Sequence, residues 1–150
     1  LERFDLARHV PDAHGNLCLL LADIDHFKNI NDNYGHLLGD KVIRQVAQTM
    51  NATVKGSDTA ARYGGEEFAI LLPNTSLNNA RKLAEQIRLK VERIRVRRAD
   101  NGSTLGVVTI SVGAACYRLG DSADSLIHRA DMALYAAKNN GRNQVMIESE

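Results

Sequence analysis

No sign of charge dominates this chain. Nineteen basic residues face 18 acidic ones, for a formal net charge of +1, so the balance speaks against a nucleic-acid duplex or an anionic membrane as partner. No apolar run is long enough to span a bilayer and no signal peptide opens the sequence, which makes residues 1–150 read as cytoplasmic; a membrane anchor could lie in sequence beyond them. Proline is scarce, and neither proline-rich nor glycine-rich linkers, repeats nor low-complexity stretches divide the chain. One domain spanning 1–150 follows, large enough to bury a core without staples. Cysteine occurs only at Cys18 and Cys116. Each lies in an apolar run, N-L-C-L-L-L-A and A-A-C-Y, and the pair reads as buried thiols of a reducing compartment, not as a disulfide.

An ordinary apolar fraction of 44% with 25% charged residues marks a globular chain. After a helix end at Leu1 to His9 and a loop through Pro11 and Gly15, Leu17 to Ala22 reads as a fully buried strand stopping at Asp23. Asp25 to Asn33 reads as a short helix, and Gly39 to Thr53 as an amphipathic one with Val42, Ile43, Val46, Ala47 and Met50 on one stripe. Strands at Thr59 to Tyr63 and Phe68 to Leu72 meet through Gly64 and Gly65. Asn74-Thr75-Ser76 caps a helix from Leu77 to about Val96. A turn at Asp100 to Ser103 leads to a strand at Val107 to Tyr117, a helix at Ser122 to Asn140 stopped by Gly141, and a final strand at Gln144 to Ile147. Helices alternating with strands, one strand pair being a hairpin, point to an α+β fold: a ferredoxin-like (split βαβ) mixed sheet flanked by helices.

Three places carry chemistry. Asp23 and Asp25 fall on one side of an extended backbone, and either of them meeting Glu66 or Glu67 from the hairpin would make a set of hard oxygen ligands suited to Mg²⁺, Asp23 with Glu66 being the preferred pair. Left empty and buried, such a cluster would resist joint ionisation. Asp25 alone reads equally well as a helix N-cap. Gly64-Gly65 is either a plain turn or a place where backbone amides approach a phosphate, and the two glutamates behind it favour the second reading. Lys138 and Arg142 bracket a helix end, where cations are ordinary dipole partners.

Together, D-I-D-H-F-K-N-I-N-D-N-Y-G-H (Asp23 to His36), L-G-D (Leu38 to Asp40), R-Y-G-G-E-E-F (Arg62 to Phe68), T-I-S-V-G (Thr109 to Gly113) and R-A-D-M-A-L-Y-A-A-K-N-N-G-R-N (Arg129 to Asn143) resemble the GGDEF domain of the diguanylate cyclase family. The resemblance runs from about Leu17 to the C-terminus. It implies a nucleotidyl-cyclase or polymerase-palm type of fold with a G-G-E-E-F hairpin, and the condensation of two GTP into cyclic di-GMP with release of two pyrophosphates. It implies two Mg²⁺ per GTP, with Mn²⁺ as a substitute. Asp23, the Ile24 carbonyl and Glu66 would hold metal, with Glu67 assisting at the second; Glu66 would also help deprotonate the ribose 3′-hydroxyl, which makes the two glutamates the catalytic pair. Asn31 and Asp40 would read guanine, Phe27 and Lys28 would meet the triphosphate through the backbone beside Gly64 and Gly65, and Lys138 and Arg142 would clamp it. One domain presents one GTP, so catalysis implies a two-fold homodimer, usually assembled by an upstream sensory or receiver domain.

Two departures from the family pattern stand out. Its product-inhibition motif R-x-x-D reads K-G-S-D here, Lys55 to Asp58, and lysine lacks the planar fork that binds guanine or phosphate with two parallel bonds. The D-x-L-T-G-L-x-N-R stretch that opens the family's domain is missing. Two alternatives remain: a catalytically silent GGDEF domain that binds GTP or cyclic di-GMP as a signalling module, and a related nucleotidyl cyclase or polymerase palm, which would lack the Asn31 and Asp40 purine readers.

Overall fold

The computed structural model describes residues 16–56, 58–98 and 102–149. The expected helix at Leu1 to His9, the loop through Gly15, the missing opening motif and half of the turn at Asp100 to Ser103 lie outside them.

Leu17–Ile24 forms β1, and every residue of it is buried. Its odd-numbered leucines pack on one side of the sheet and its even-numbered residues on the other, which is why the run shows no polar alternation. Thr59–Gly64 (β2) and Glu67–Pro73 (β3) make the expected hairpin, and Ile110–Cys116 (β4) and Val145–Ile147 (β5) complete five strands in the order β2-β3-β1-β4-β5. β1 runs antiparallel to both β3 and β4, while β5 adds in parallel to β4. The first four strands with their crossovers are the split βαβ arrangement read from the sequence.

Phe27–Tyr34 (α1), His36–Thr53 (α2) and Leu77–Glu92 (α3) belong to one layer. The stripe Val42, Ile43, Val46 and Met50 of α2 joins Ala80, Ala84, Ile87 and Val91 of α3 over Leu20, Ala22, Phe68 and Ile70 of the sheet. Ala123–Asn139 (α4) covers the other face, seating Leu126, Ala130 and Leu134 on Leu19, Leu21 and Leu71. Each such leucine contributes about 1.5–3 kcal/mol by leaving water. Ser122 caps α4 in a reciprocal capping box with Ser125, and Ser76 caps α3 by accepting from the Asn79 amide. At Gly113 the helix comes so close that a Cβ would lie 2.2 Å from the Leu134 nitrogen and 2.3 Å from the Ala130 oxygen.

Three expectations are corrected. Cys18 and Cys116 are joined in a disulfide and are not free thiols. The β1–β4 register sets them directly opposite one another across 98 residues of chain. The third helix ends at Glu92, not near Val96, because R-I-R-V-R turns from helical spacing to alternation: Val96 enters the core while Arg95 and Arg97 face solvent. Arg97 then bridges Thr104. The fourth strand starts at Ile110, leaving Val107 64% exposed.

Candidate active site

The site lies where β1 ends. Asp23 pairs in register with Glu67, and the Ile24 amide donates to the Glu66 carbonyl at 3.2 Å, so the tip of the β2–β3 hairpin is laid against the end of the central strand. Gly65 sits at φ +34° in that tip, beside a register shift between Arg62 and Gly64. The Arg62 Nε donates to the Gly65 carbonyl at 2.7 Å and holds the turn from below. Arg62 had no role in the sequence reading; its place in R-Y-G-G-E-E-F was the available signal.

Asp23 is 6% exposed. One carboxylate oxygen, Oδ2, is held by the Lys138 ammonium from the last turn of α4, and the other, Oδ1, is buried without any partner. Burial pushes the Asp23 carboxyl above its ordinary range, Lys138 pulls it down, and Glu66 and Asp25 push it up again. Burial likewise raises Glu67, with Asp23, Asp131 and Glu66 adding to the shift and Lys138 opposing it. These carboxylates share too little positive charge. A buried, unpartnered carboxylate oxygen beside two glutamates and the Ile24 main chain is a donor set that fits a hard divalent cation. Among the described residues no group of three or more His, Cys, Asp or Glu is placed to hold a metal ion by itself, so Asp23, Glu66 and Glu67 do not close into a cage.

Asp25 is not the helix cap considered for it. The N-cap of α1 is His26, in the left-handed region at φ 55° and without a side-chain hydrogen bond, so that reading is overturned. The Asp25 carboxylate accepts from Thr109 Oγ1 at 2.7 Å, Ser111 Oγ at 2.6 Å and the Asn143 amide at 3.0 Å. It ties β4 and the loop after α4 to the end of β1.

The uncapped first turn of α1 carries Phe27, which is buried, and Lys28, which is exposed. Helix N-termini of this kind leave amides directed outward, as an anion requires. Gly35, at φ 88°, breaks α1 from α2 and folds Asn31 over Gly39: a Cβ there would lie 1.9 Å from the Asn31 Oδ1. Asn31 thus lies against Gly39, the residue before Asp40, while Asp40 lines a cleft of about 500 Å³ with Arg44, Gln48, Asn51 and Arg62, a lining that does not include Asn31. Lys138 and Arg142 stand at the end of α4, Arg142 in the left-handed region at φ 63°. Lys55 and Asp58 form their own turn away from these groups, the Asp58 carboxylate accepting from the Lys55 amide at 3.3 Å.

Comparison with known proteins places this geometry. The family model described as "Diguanylate cyclase, GGDEF domain" matches residues 3–144. The chain belongs to the GGDEF domain family of diguanylate cyclases. It is 49% identical over 134 residues to diguanylate cyclase VdcA of Vibrio cholerae, covering 89% of this chain and 40% of that protein, and 48% identical over 132 residues to diguanylate cyclase A of Treponema denticola, covering 87% and 35%. The chain thus spans well under half the length of these curated relatives. Among solved structures it resembles the GGDEF domain of DgcB from Caulobacter crescentus in complex with c-di-GMP (TM-score 0.91, 41% identity, 95% of this chain and 85% of that one). It also resembles the active GGEEF domain of a Vibrio cholerae diguanylate cyclase (TM-score 0.80, 34% identity, 90% and 84%). The GGDEF fold is therefore the mixed five-stranded sheet with flanking helices described above. No helix among the described residues is long and apolar enough to cross a membrane.

Proposed function

We propose that this GGDEF domain is an active, Mg²⁺-dependent diguanylate cyclase that condenses two GTP into cyclic di-GMP and two pyrophosphates. The observation that carries the reading is the buried, partnerless Asp23 Oδ1 facing the G-G-E-E-F tip. An enzyme that keeps a carboxylate oxygen dry and unpaired holds it ready for a cation.

Asp23, the Ile24 carbonyl and Glu66 would hold the first Mg²⁺ and Glu67 would assist the second, Mn²⁺ serving as a substitute. When bound, the metal neutralises phosphate charge and makes the 3′-hydroxyl more acidic. The chain's own residues do the rest. Asn31 and Asp40 read the guanine edge, and the outward amides of Phe27 and Lys28, with Gly64 and Gly65, receive the triphosphate. Lys138, which holds Asp23 Oδ2, and Arg142 would clamp the phosphates from outside. Glu66 and Glu67 are the catalytic carboxylates, Glu66 placed to take the 3′-proton. Phosphoryl transfer asks chiefly for positioning and charge neutralisation, which is what these groups offer. One domain holds one GTP, so the reaction requires two copies facing across a two-fold axis. An upstream sensory or receiver region would control this pairing. With Lys55 in place of arginine and Asp58 engaged in its own turn, feedback by product is weak.

Incubation with GTP and Mg²⁺, followed by chromatography, tests the reading. Cyclic di-GMP is the expected product, and Glu66→Ala lowers turnover to background. Tight GTP binding without product would instead establish the silent signalling module.

A further inference from the structure

Arg142 and Asn143 are consecutive non-glycine residues with positive φ, 63° and 47°. Such backbone is strained for a residue with a side chain and persists only where its surroundings fix it. The surroundings here are specific. The Asn143 amide donates to the buried Asp25 carboxylate at 3.0 Å. Its side-chain Oδ1 accepts from Arg88 Nη1 at 2.8 Å, and its Nδ2 donates to Glu92 Oε2 at 2.6 Å. Arg88 is itself oriented by Glu85. Asp25 is locked in turn by Thr109 and Ser111. An unbroken run of polar contacts therefore leads from α3, through Asn143 and Asp25, to β4 and the strand end that carries Asp23.

We propose that Asn143 and Asp25 are positioning residues that aim Arg142 at the substrate phosphates, with α3 as the anchor. Asp25 is not a metal ligand in this scheme: its Oδ2 already accepts two hydrogen bonds and its Oδ1 a third, so coordination would require breaking contacts that hold the loop. The inference rests on the cyclase reading, through the phosphate role given to Arg142.

Asn143→Gly is the informative variant. Glycine keeps the left-handed backbone without strain while deleting the bracketed side chain. The expected result is a GTP KM raised about tenfold, the equivalent of one charge-assisted hydrogen bond, with kcat and the Mg²⁺ concentration for half-maximal activity little changed. The decisive comparison is with Arg142→Ala: if Asn143 acts through Arg142, the double variant is no worse than Arg142→Ala alone. Additive losses, or an unchanged KM in Asn143→Gly, overturn the inference and leave the cyclase reading intact. A parent chain that makes no cyclic di-GMP overturns both. Hydrogen exchange supplies a readout independent of activity: the Asn143 amide is protected in the parent and exposed in Asp25→Asn, and rapid exchange in the parent overturns the inference on its own.

Discussion

Asp23 and Glu67 face one another across a strand pairing with one lysine between them and the hairpin's other glutamate nearby. Because burial and neighbouring carboxylates raise Glu67, its ionised form is disfavoured in the fold relative to the unfolded chain. Its favourable contribution is complete only in acid and is lost as the pH rises through the raised value. Glu67→Gln removes that penalty, so the metal-free variant melts above the parent at pH 7, and the two converge below about pH 4, where the carboxyl is protonated in both states. A variant that melts lower at neutral pH would show that crowding is no cost there. Asp40 is a different case: exposed, on the first turns of α2, and outside the core. Asp40→Ala should leave stability within about 0.5 kcal/mol. It should also lower the preference for GTP over ATP on the order of tenfold to a hundredfold, the worth of a hydrogen bond to a charged acceptor. Competition between the two nucleotides measures this directly, and unchanged preference rejects Asp40 as a guanine reader.

At the scale of elements, the close seat of α4 on β4 sets where Lys138 and Arg142 arrive. Gly113→Ala places a methyl group against helix backbone that cannot rotate away. We expect a loss on the order of 1–3 kcal/mol, seen as a lower urea midpoint at unchanged slope, together with a raised GTP KM because α4 must shift outward. The elements themselves were largely legible. Leu17 to Ala22 declared a buried strand by its unbroken apolar run, and the hairpin declared itself by two apolar runs around Gly64-Gly65. Four of the proposed ligand positions sit at the ends of those elements, which made them legible too. What the sequence hid was register. Nothing in N-L-C-L or A-A-C-Y says that Cys18 and Cys116 will lie opposite one another, and nothing near Asp25 points to Thr109, Ser111 and Asn143. The end of α3 was hidden differently: Ile94 continues the spacing of Ile87 and Val91, so helical period masked the switch to alternation that buries Val96.

At the scale of the whole molecule, the proposed reaction gives each domain one GTP to hold, and a product with two-fold symmetry would demand two such domains. If the second copy supplies the attacking hydroxyl, activity depends on encounter between domains. Specific activity of this chain should then rise in proportion to its own concentration while pairs are rare, and level off once most chains are paired, as mass action requires. Turnover per chain measured over a hundredfold range of protein, at saturating GTP and Mg²⁺, reads this, with light scattering on the same samples giving the mass. Fusing the chain to a parallel dimeric coiled coil should bring the plateau to the dilute end without changing its height, since linkage raises the effective concentration and adds no contact to the site. A turnover per chain that stays constant while the mass remains that of a monomer would mean that a single domain completes the reaction, and the two-fold scheme would fail with it.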